Sequence, residues 1–359
     1  MTTLSRVPPD TPAFDPARAA VFAIGIGAPV MACLLVGGPA VALFAGVGAV
    51  NALFTDPRRG VAARLISIAV AMAGILMFAL LGMTLRSSPD LALAVAIAFA
   101  FPAGLVPPAF PYLSMVAKLL PLTIIVVATG IFPSGHVVVG FFVGTVFAML
   151  ATIAEAALRR IVPYADPMHE LVALWRGKRN DLAYAVAFTA AVGLAVYAAR
   201  VAAATHPLWA VVAVLFVMHP DPDRSMRRIA KRIGGTFAGV VIAWTIVRFI
   251  DSPWPLVALA TVAAALLPWG MARGVFAGTM IATVFLLLLF DVGMIAQGGD
   301  KPLIFARLWD TLIGTAAVAI AAYVLSLWHR WRPPKRDTHE MPDALEPDHA
   351  AMLEPDAHL

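Results

Sequence analysis

The apolar positions of this chain fall in long blocks rather than in alternation. From Arg18 to Trp331, apolar runs of roughly 17–25 residues recur between short polar breaks. Each is long enough to cross a hydrocarbon core of about 30 Å as a helix. Backbone groups in lipid must be satisfied internally, and the two-residue period of a lipid-facing barrel is absent. The pattern therefore predicts an all-α polytopic membrane protein. The expected spans are 19–37, 39–54, 62–83, 90–106, 112–130 and 134–158, then 182–204, 207–219, 229–250, 255–270, 274–291 and 303–328. About twelve spans place both termini on one side of the membrane.

Composition agrees with this reading. The chain is 61% apolar and 13% charged, and a soluble protein so built would expose large apolar patches. The net charge of +5 would suggest nucleic acid in a soluble chain. Here the distribution of charge points to membrane topology instead, and no nucleic-acid partner is expected. Twenty of the 26 Lys and Arg residues fall on the face shared by the termini, which is therefore expected to be cytoplasmic. The other six are Arg86, Arg200, Arg248, Lys301 and Arg307 at or near the opposite face, where an organic anion would meet them, and Lys118 inside span five. The start, "MTTLSRVPPDTPAFDPAR", shows no small-residue cleavage site, so no removed signal peptide is expected. The single cysteine, Cys33, gives no information on redox compartment.

The two halves repeat one another. Pro39 and Pro207 open short spans 168 residues apart, Arg64 and Arg232 share that offset, and Gly144 and Gly314 lie 170 apart. "TDPRRGVAARLI" faces "DRSMRRIAKRIG", and "FVGTVFAMLAT" faces "LIGTAAVAIAA". The expected architecture is two parallel six-helix repeats, 19–158 and 182–328, related by a pseudo-twofold axis along the membrane normal. A cytoplasmic N-terminus (1–18), a basic cytoplasmic connector (159–181) and a disordered cytoplasmic tail (329–359) complete the chain. The matched short spans, two and eight, either point to a substrate site or are simply tilted.

Two polar stretches invite chemistry. In "HPDPD", His219, Asp221 and Asp223 mix ligand types around two prolines, a poor metal site. "RIGGTFAG" lacks the lysine and preceding strand of a phosphate loop. Both read better as a turn at the lipid headgroups followed by a helix whose Gly235 and Gly239 pack closely on a neighbour. No cofactor, metal or catalytic residue is expected, because no nucleophile and base are paired.

"RRIAKRIGGTFAG" resembles the R–x–x–x–R–x–x–G–T–x–x–G motif of the fusaric acid resistance family, through Arg228, Arg232, Gly235, Thr236 and Gly239. "RLWDTLIGTAAVAIAA" is similar to that family's R–x–x–D–T–x–x–G, through Arg307, Asp310, Thr311 and Gly314. The clearest motifs fall within 207–325, and the first half matches mainly by span pattern. The resemblance implies an inner-membrane secondary transporter that exports aromatic or other organic carboxylic acids. Its implied partners are the acid, protons, the bilayer, and a periplasmic adaptor with an outer-membrane channel. Aluminium-activated malate transporters are more distantly similar and imply an organic-anion channel as the alternative. A non-transporting membrane scaffold is the third reading.

The candidate substrate-binding residues are Arg307, Asp310, His136 and Lys118. Arg307 and Asp310 share a helix face. Either they neutralise each other, or Arg307 binds a carboxylate while Asp310 carries a proton. His136 falls near Arg307 in the repeat alignment and is a candidate proton carrier. Lys118 either snorkels to the cytoplasmic surface or lines an anion path.

Overall fold

The computed structural model describes residues 14–128, 134–202, 208–250, 252–294 and 301–331. Most of the expected N-terminal segment and tail, and Pro207, lie outside them. Among the described residues there are thirteen helices. These are α1 (Pro16–Val36), α2 (Pro39–Phe54), α3 (Val61–Thr84), α4 (Pro89–Leu105), α5 (Pro111–Ala128), α6 (Ser134–Leu158) and α7 (Pro167–Trp175). The remainder are α8 (Leu182–Val201), α9 (Leu208–Val217), α10 (Pro222–Phe249), α11 (Pro253–Arg273), α12 (Val275–Met294) and α13 (Lys301–Trp331).

Every expected span is a helix, and nine described helices are long and apolar enough to cross a membrane. The chain is thus a multi-pass helical membrane protein. The other apolar helices, α2, α4 and α9, have 16, 17 and 10 residues. At 1.5 Å per residue, α9 covers only about half of a 30 Å core. It is also buried nearly all round, from Trp209 to Leu215.

Local chemistry sets the helix starts. Seven of the thirteen open on proline, whose missing N–H is one of the unpaired donors of a first turn. Asp15 caps α1 by accepting from the Arg18 N–H at 3.1 Å, and Asp221 caps α10 by accepting from Asp223 and Arg224 at 2.9 and 3.3 Å. In the "HPDPD" turn, His219 Nδ1 accepts from the Asp221 N–H at 3.0 Å and Ser225 Oγ accepts from the His219 N–H at 3.0 Å. Its polar atoms are spent on the turn.

The connector contains α7, which a basic linker does not lead one to expect. Asp166 caps it and Pro167 opens it. Glu170 and Ala173 are buried, while Met168, Leu171 and Trp175 are exposed. Glu170 accepts from the backbone N–H groups of Tyr112 and Leu113 at 3.4 and 2.9 Å, so α7 satisfies the first turn of α5. Burial pushes the Glu170 carboxyl above its ordinary value despite these bonds.

The helices of the two sequence halves interleave. α1, α2 and α6 pack on one another, with α11 against α1 and α12 against α2. α8, α9 and α13 pack likewise, with α4 against α8 and α5 against α9. Helices α3–α5 and α10–α12 close the two groups, and α3 touches α6 as α10 touches α13. Large apolar side chains such as Val139, Phe142, Val146 and Leu150 recur along the exposed face of α6, a stripe that lipid covers.

Candidate functional site

Between the two groups of helices lies a cavity of about 320 Å³, within the size range of small-molecule sites. Its walls come from α2, α3, α5, α6, α9, α11 and α12. Seven aromatic residues line it: Phe44, Phe54, Phe141, Trp209, Phe216, Phe285 and Phe290. The polar lining is Asn51, Thr123 and Arg86, and Arg86 carries the only charge in that lining. Arg86 Nε donates to the Val127 carbonyl at 3.0 Å, which fixes it at the end of α5.

The short helix α9 shapes the second side of the cavity. Trp209, Val212 and Phe216, at i, i+3 and i+7, present one face to it. Each aromatic end of that face touches a cation. The Arg307 guanidinium lies 3.8 Å from the Trp209 ring centre, and Lys118 Nζ lies 5.8 Å from that of Phe216. Trp209 also meets Phe290 edge-on at 5.4 Å.

The four candidates from sequence are therefore placed differently. Arg307 and Lys118 each touch an aromatic wall residue without lining the cavity themselves. His136 is exposed, one residue before the wall residues Val137 and Val138. Asp310 is fully buried, and neither of its carboxylate oxygens has a hydrogen-bond partner, Arg307 included. Sequence reasoning left Arg86, Trp209 and Phe216 out of the site. Arg86 carried a signal, as one of the six cations off the basic face; the two aromatics had none among 20 Phe and 8 Trp.

The motif glycines mark close helix contacts. A methyl group added at Gly235 or Gly239 would meet the α12 carbonyls of Phe276 and Met280 at 2.5 and 2.7 Å. One at Gly314 would run into the Ala210 carbonyl of α9, and one at Gly144 into the Ala45 carbonyl of α2. Thr311 donates to the Arg307 carbonyl at 2.8 Å. Arg228 and Arg232 lie one turn apart on α10; Arg228 acts electrostatically on Lys118 and His219, and Arg232 on Arg307. Burial, then Arg228 and Arg224, hold His219 below its ordinary value.

A second charged group was not foreseen. Arg18 and Arg64, counted from sequence as membrane-surface cations, are 6% and 1% exposed. Arg64 Nε and Nη2 donate to Asp56 at 2.8 and 2.5 Å, and Nη2 also donates to Glu155 at 2.6 Å. Arg18 Nη1 donates to both carboxylates at 3.0 and 2.9 Å. Arg159 Nη2 links Glu155 at 2.5 Å to Asp15 at 2.9 Å. Burial raises the Asp15 carboxyl, but its bonds from Arg159 and the Arg18 N–H outweigh that and hold it below the usual range. The cluster joins α1, the α2–α3 turn, α3 and α6.

The class that the fold defines is a multi-pass helical membrane protein whose helices enclose an aromatic cavity. Residues 191–322 match the family model described as fusaric acid resistance protein-like, and that match bears out the resemblance read from the two motifs. No curated protein and no solved structure matches the chain.

Proposed function

We propose that this protein is an inner-membrane secondary transporter that exports aromatic or other apolar organic carboxylic acids. The observation that carries the reading is the cavity: seven aromatic walls and one lining cation, Arg86. An aromatic or aliphatic body gains by leaving water for such a wall, and its ring stacks on the aromatic side chains. Its carboxylate is met by Arg86, and by Arg307 or Lys118 when Trp209 or Phe216 turns aside. Asp310, buried beside this region, is the candidate proton carrier.

The halves are two parallel six-helix repeats, α1–α6 and α8–α13. The packing supports this. Advancing each helix by seven turns α1–α2, α1–α6, α2–α6, α3–α5, α3–α6 and α4–α5 into pairs that also touch. The cross-contacts exchange in the same way: α1–α11 becomes α8–α4, and α2–α12 becomes α9–α5. The cavity then lies beside a pseudo-twofold axis, where movement of one group of helices against the other alternates access. The excess of Lys and Arg on the face of the termini, which holds without the buried Arg18 and Arg64, supports a cytoplasmic position for that face. A periplasmic adaptor and outer-membrane channel would extend the route.

The test is flux of benzoate and a benzoate analogue lacking the carboxylate through proteoliposomes, with pH gradient and voltage set separately. Carboxylate-selective flux that falls when the proton gradient is collapsed supports the exporter. Selective flux that follows voltage alone identifies an organic-anion channel. No flux under any gradient overturns both.

A further inference from the structure

The connector between α6 and α8 is held against the ends of the bundle helices. The Tyr164 and Ala165 N–H groups both donate to the Pro57 carbonyl, in the α2–α3 turn, at 3.1 Å. Glu170 accepts from the first turn of α5. Asn180 Nδ2 donates to the Gly104 and Val106 carbonyls, at the end of α4, at 2.8 and 3.0 Å. The connector is thus tied at three places to helix ends, and the ends of membrane helices lie at the level of the lipid headgroups.

Helix α7 has two opposite faces. Glu170 and Ala173 are buried, and Glu170 holds that face on α5. Met168, Leu171, Val172 and Trp175 recur at i, i+3, i+4 and i+7 on the other side and are 68, 52, 38 and 92% exposed. A lone exposed apolar side chain is ordinary, but four on one face of a nine-residue helix form a contact surface. The exposed stripe of α6 leads into it, since α6 ends on the exposed Leu158 and the chain continues through the exposed Val162 and Tyr164. The surrounding charge has one sign. Arg160, Arg176, Lys178 and Arg179 are all exposed. Of the connector's three acids, Asp166 pairs with Arg59, Glu170 is buried, and Asp181 is exposed.

We propose that α7 and the basic run after it are a docking surface for anionic phospholipid. The apolar face enters the acyl boundary of the leaflet on the connector's side, and Arg176, Lys178 and Arg179 meet the headgroup phosphates. A short helix with a Trp and aliphatic face flanked by cations has the chemistry of an interfacial helix. The Trp ring is at home at headgroup level, and surface Lys and Arg draw anionic lipid toward them. Lipid is the occupant because the surface lies at the helix ends and follows on from a stripe that lipid already covers. Through Glu170 the bound lipid is mechanically tied to α5, which gives Leu119, Leu122 and Thr123 to the cavity wall. The surface goes beyond the transporter reading and does not depend on it.

The experiment uses the full chain in nanodiscs of phosphatidylcholine with a minor share of phosphatidylglycerol. Two sets have the same lipid composition and the same amount of brominated lipid, with the bromine on the acyl chain just below the headgroup. In one set phosphatidylglycerol carries it, in the other phosphatidylcholine. The fluorescence of Trp175 is taken as the difference between wild type and Trp175→Leu, a change at an exposed side chain that keeps the face apolar. The expected result is quenching of Trp175 by brominated lipid, stronger from phosphatidylglycerol. Its local enrichment should be on the order of fivefold, the effect of one basic residue at an anionic surface. The preference should shrink in high salt and in the triple variant Arg176→Gln, Lys178→Gln, Arg179→Gln, whose altered side chains are all exposed. Equal quenching from both lipids overturns the proposal, because the contact is then apolar without headgroup selection. Quenching by aqueous iodide but by neither lipid also overturns it, and leaves the face to water or to a protein partner. No transport is measured, so neither result bears on the exporter reading.

Discussion

The contrast between Arg64 and Arg232 yields a quantitative prediction. Arg64 is 1% exposed and makes three charge-assisted bonds, at 2.8, 2.5 and 2.6 Å, to Asp56 and Glu155. Arg64→Ala leaves two buried carboxylates with Arg18, Arg159 and the Arg58 N–H as their remaining partners. Breaking a buried ionic network in this way costs about 3–5 kcal/mol. At about 2 °C per kcal/mol for a chain of this size, Tm should fall on the order of 6–10 °C. Arg232→Ala removes a cation whose buried Nε has no partner. That change should leave Tm unchanged or raise it slightly, because Arg232 is half-buried and the removed group includes a buried donor with no partner. Both variants are compared with wild type by intrinsic tryptophan fluorescence during thermal unfolding in one detergent. If Arg64→Ala melts within about 1 °C of wild type, or Arg232→Ala falls as far as Arg64→Ala, the charge asymmetry does not act in the folded protein.

Three further outcomes follow from packing and burial. Gly144→Ala drives a methyl group into the Ala45 carbonyl and should cost about 1–3 kcal/mol, whereas Gly193→Ala, with its nearest neighbour at 3.9 Å, should be neutral or stabilising; denaturation of the two variants separates close contact from helix propensity. Ala282 is a half-buried wall residue, so Ala282→Phe should fill the cavity and abolish benzoate flux while Tm stays near wild type; retained flux would put the path elsewhere. Glu170 holds its proton more tightly in the folded chain than in the unfolded one, because burial raises its pKa above 4.5. Its contribution is therefore full below pH 4.5 and is lost as pH rises through the folded value, so Glu170→Gln should flatten the decline of Tm with pH above 4.5.

The helices were legible because each boundary had a local cause. A proline opens seven of the thirteen helices, and at α1, α7 and α10 a capping aspartate precedes it; at α10 these signals set the start at Pro222, seven residues before the span expected from 229. α7 carried the same signals, Asp166 and Pro167, but nine residues fall below the length at which apolar periodicity stands out. The site was only partly legible. A motif finds Arg307 and Asp310 because their spacing is local. The cavity depends on α2, α5, α9 and α12 meeting, and no short window of sequence contains that. Arg18 and Arg64 were misplaced for the same reason. A cation next to a loop counts as surface until its partners, 38 and 137 residues away for Arg18, are seen to bury it.

If the halves are repeats as proposed, their register also says why Arg64 is paired with acids and Arg232 is not. At the 168-residue offset that aligns Arg64 with Arg232, Asp56 aligns with Arg224, and at the 170-residue offset that aligns Gly144 with Gly314, Glu155 aligns with Leu325. Both acids that pair with Arg64 are absent at the matching places, where Arg224 and Leu325 stand. Leu325 is 2% exposed and belongs to the cluster on which Ile229 packs. If the register is right, Leu325→Glu restores the acid opposite Arg232, as Glu155 stands 2.6 Å from Arg64. That glutamate should be tolerated in the wild-type background. In the Arg232→Ala background the same glutamate is a buried charge with no such partner, and should be strongly destabilising. A double-mutant cycle on the two positions should therefore give a coupling above about 2 kcal/mol. Additive effects would break the pairing of Leu325 with Glu155, and with it the residue-level register of the repeat.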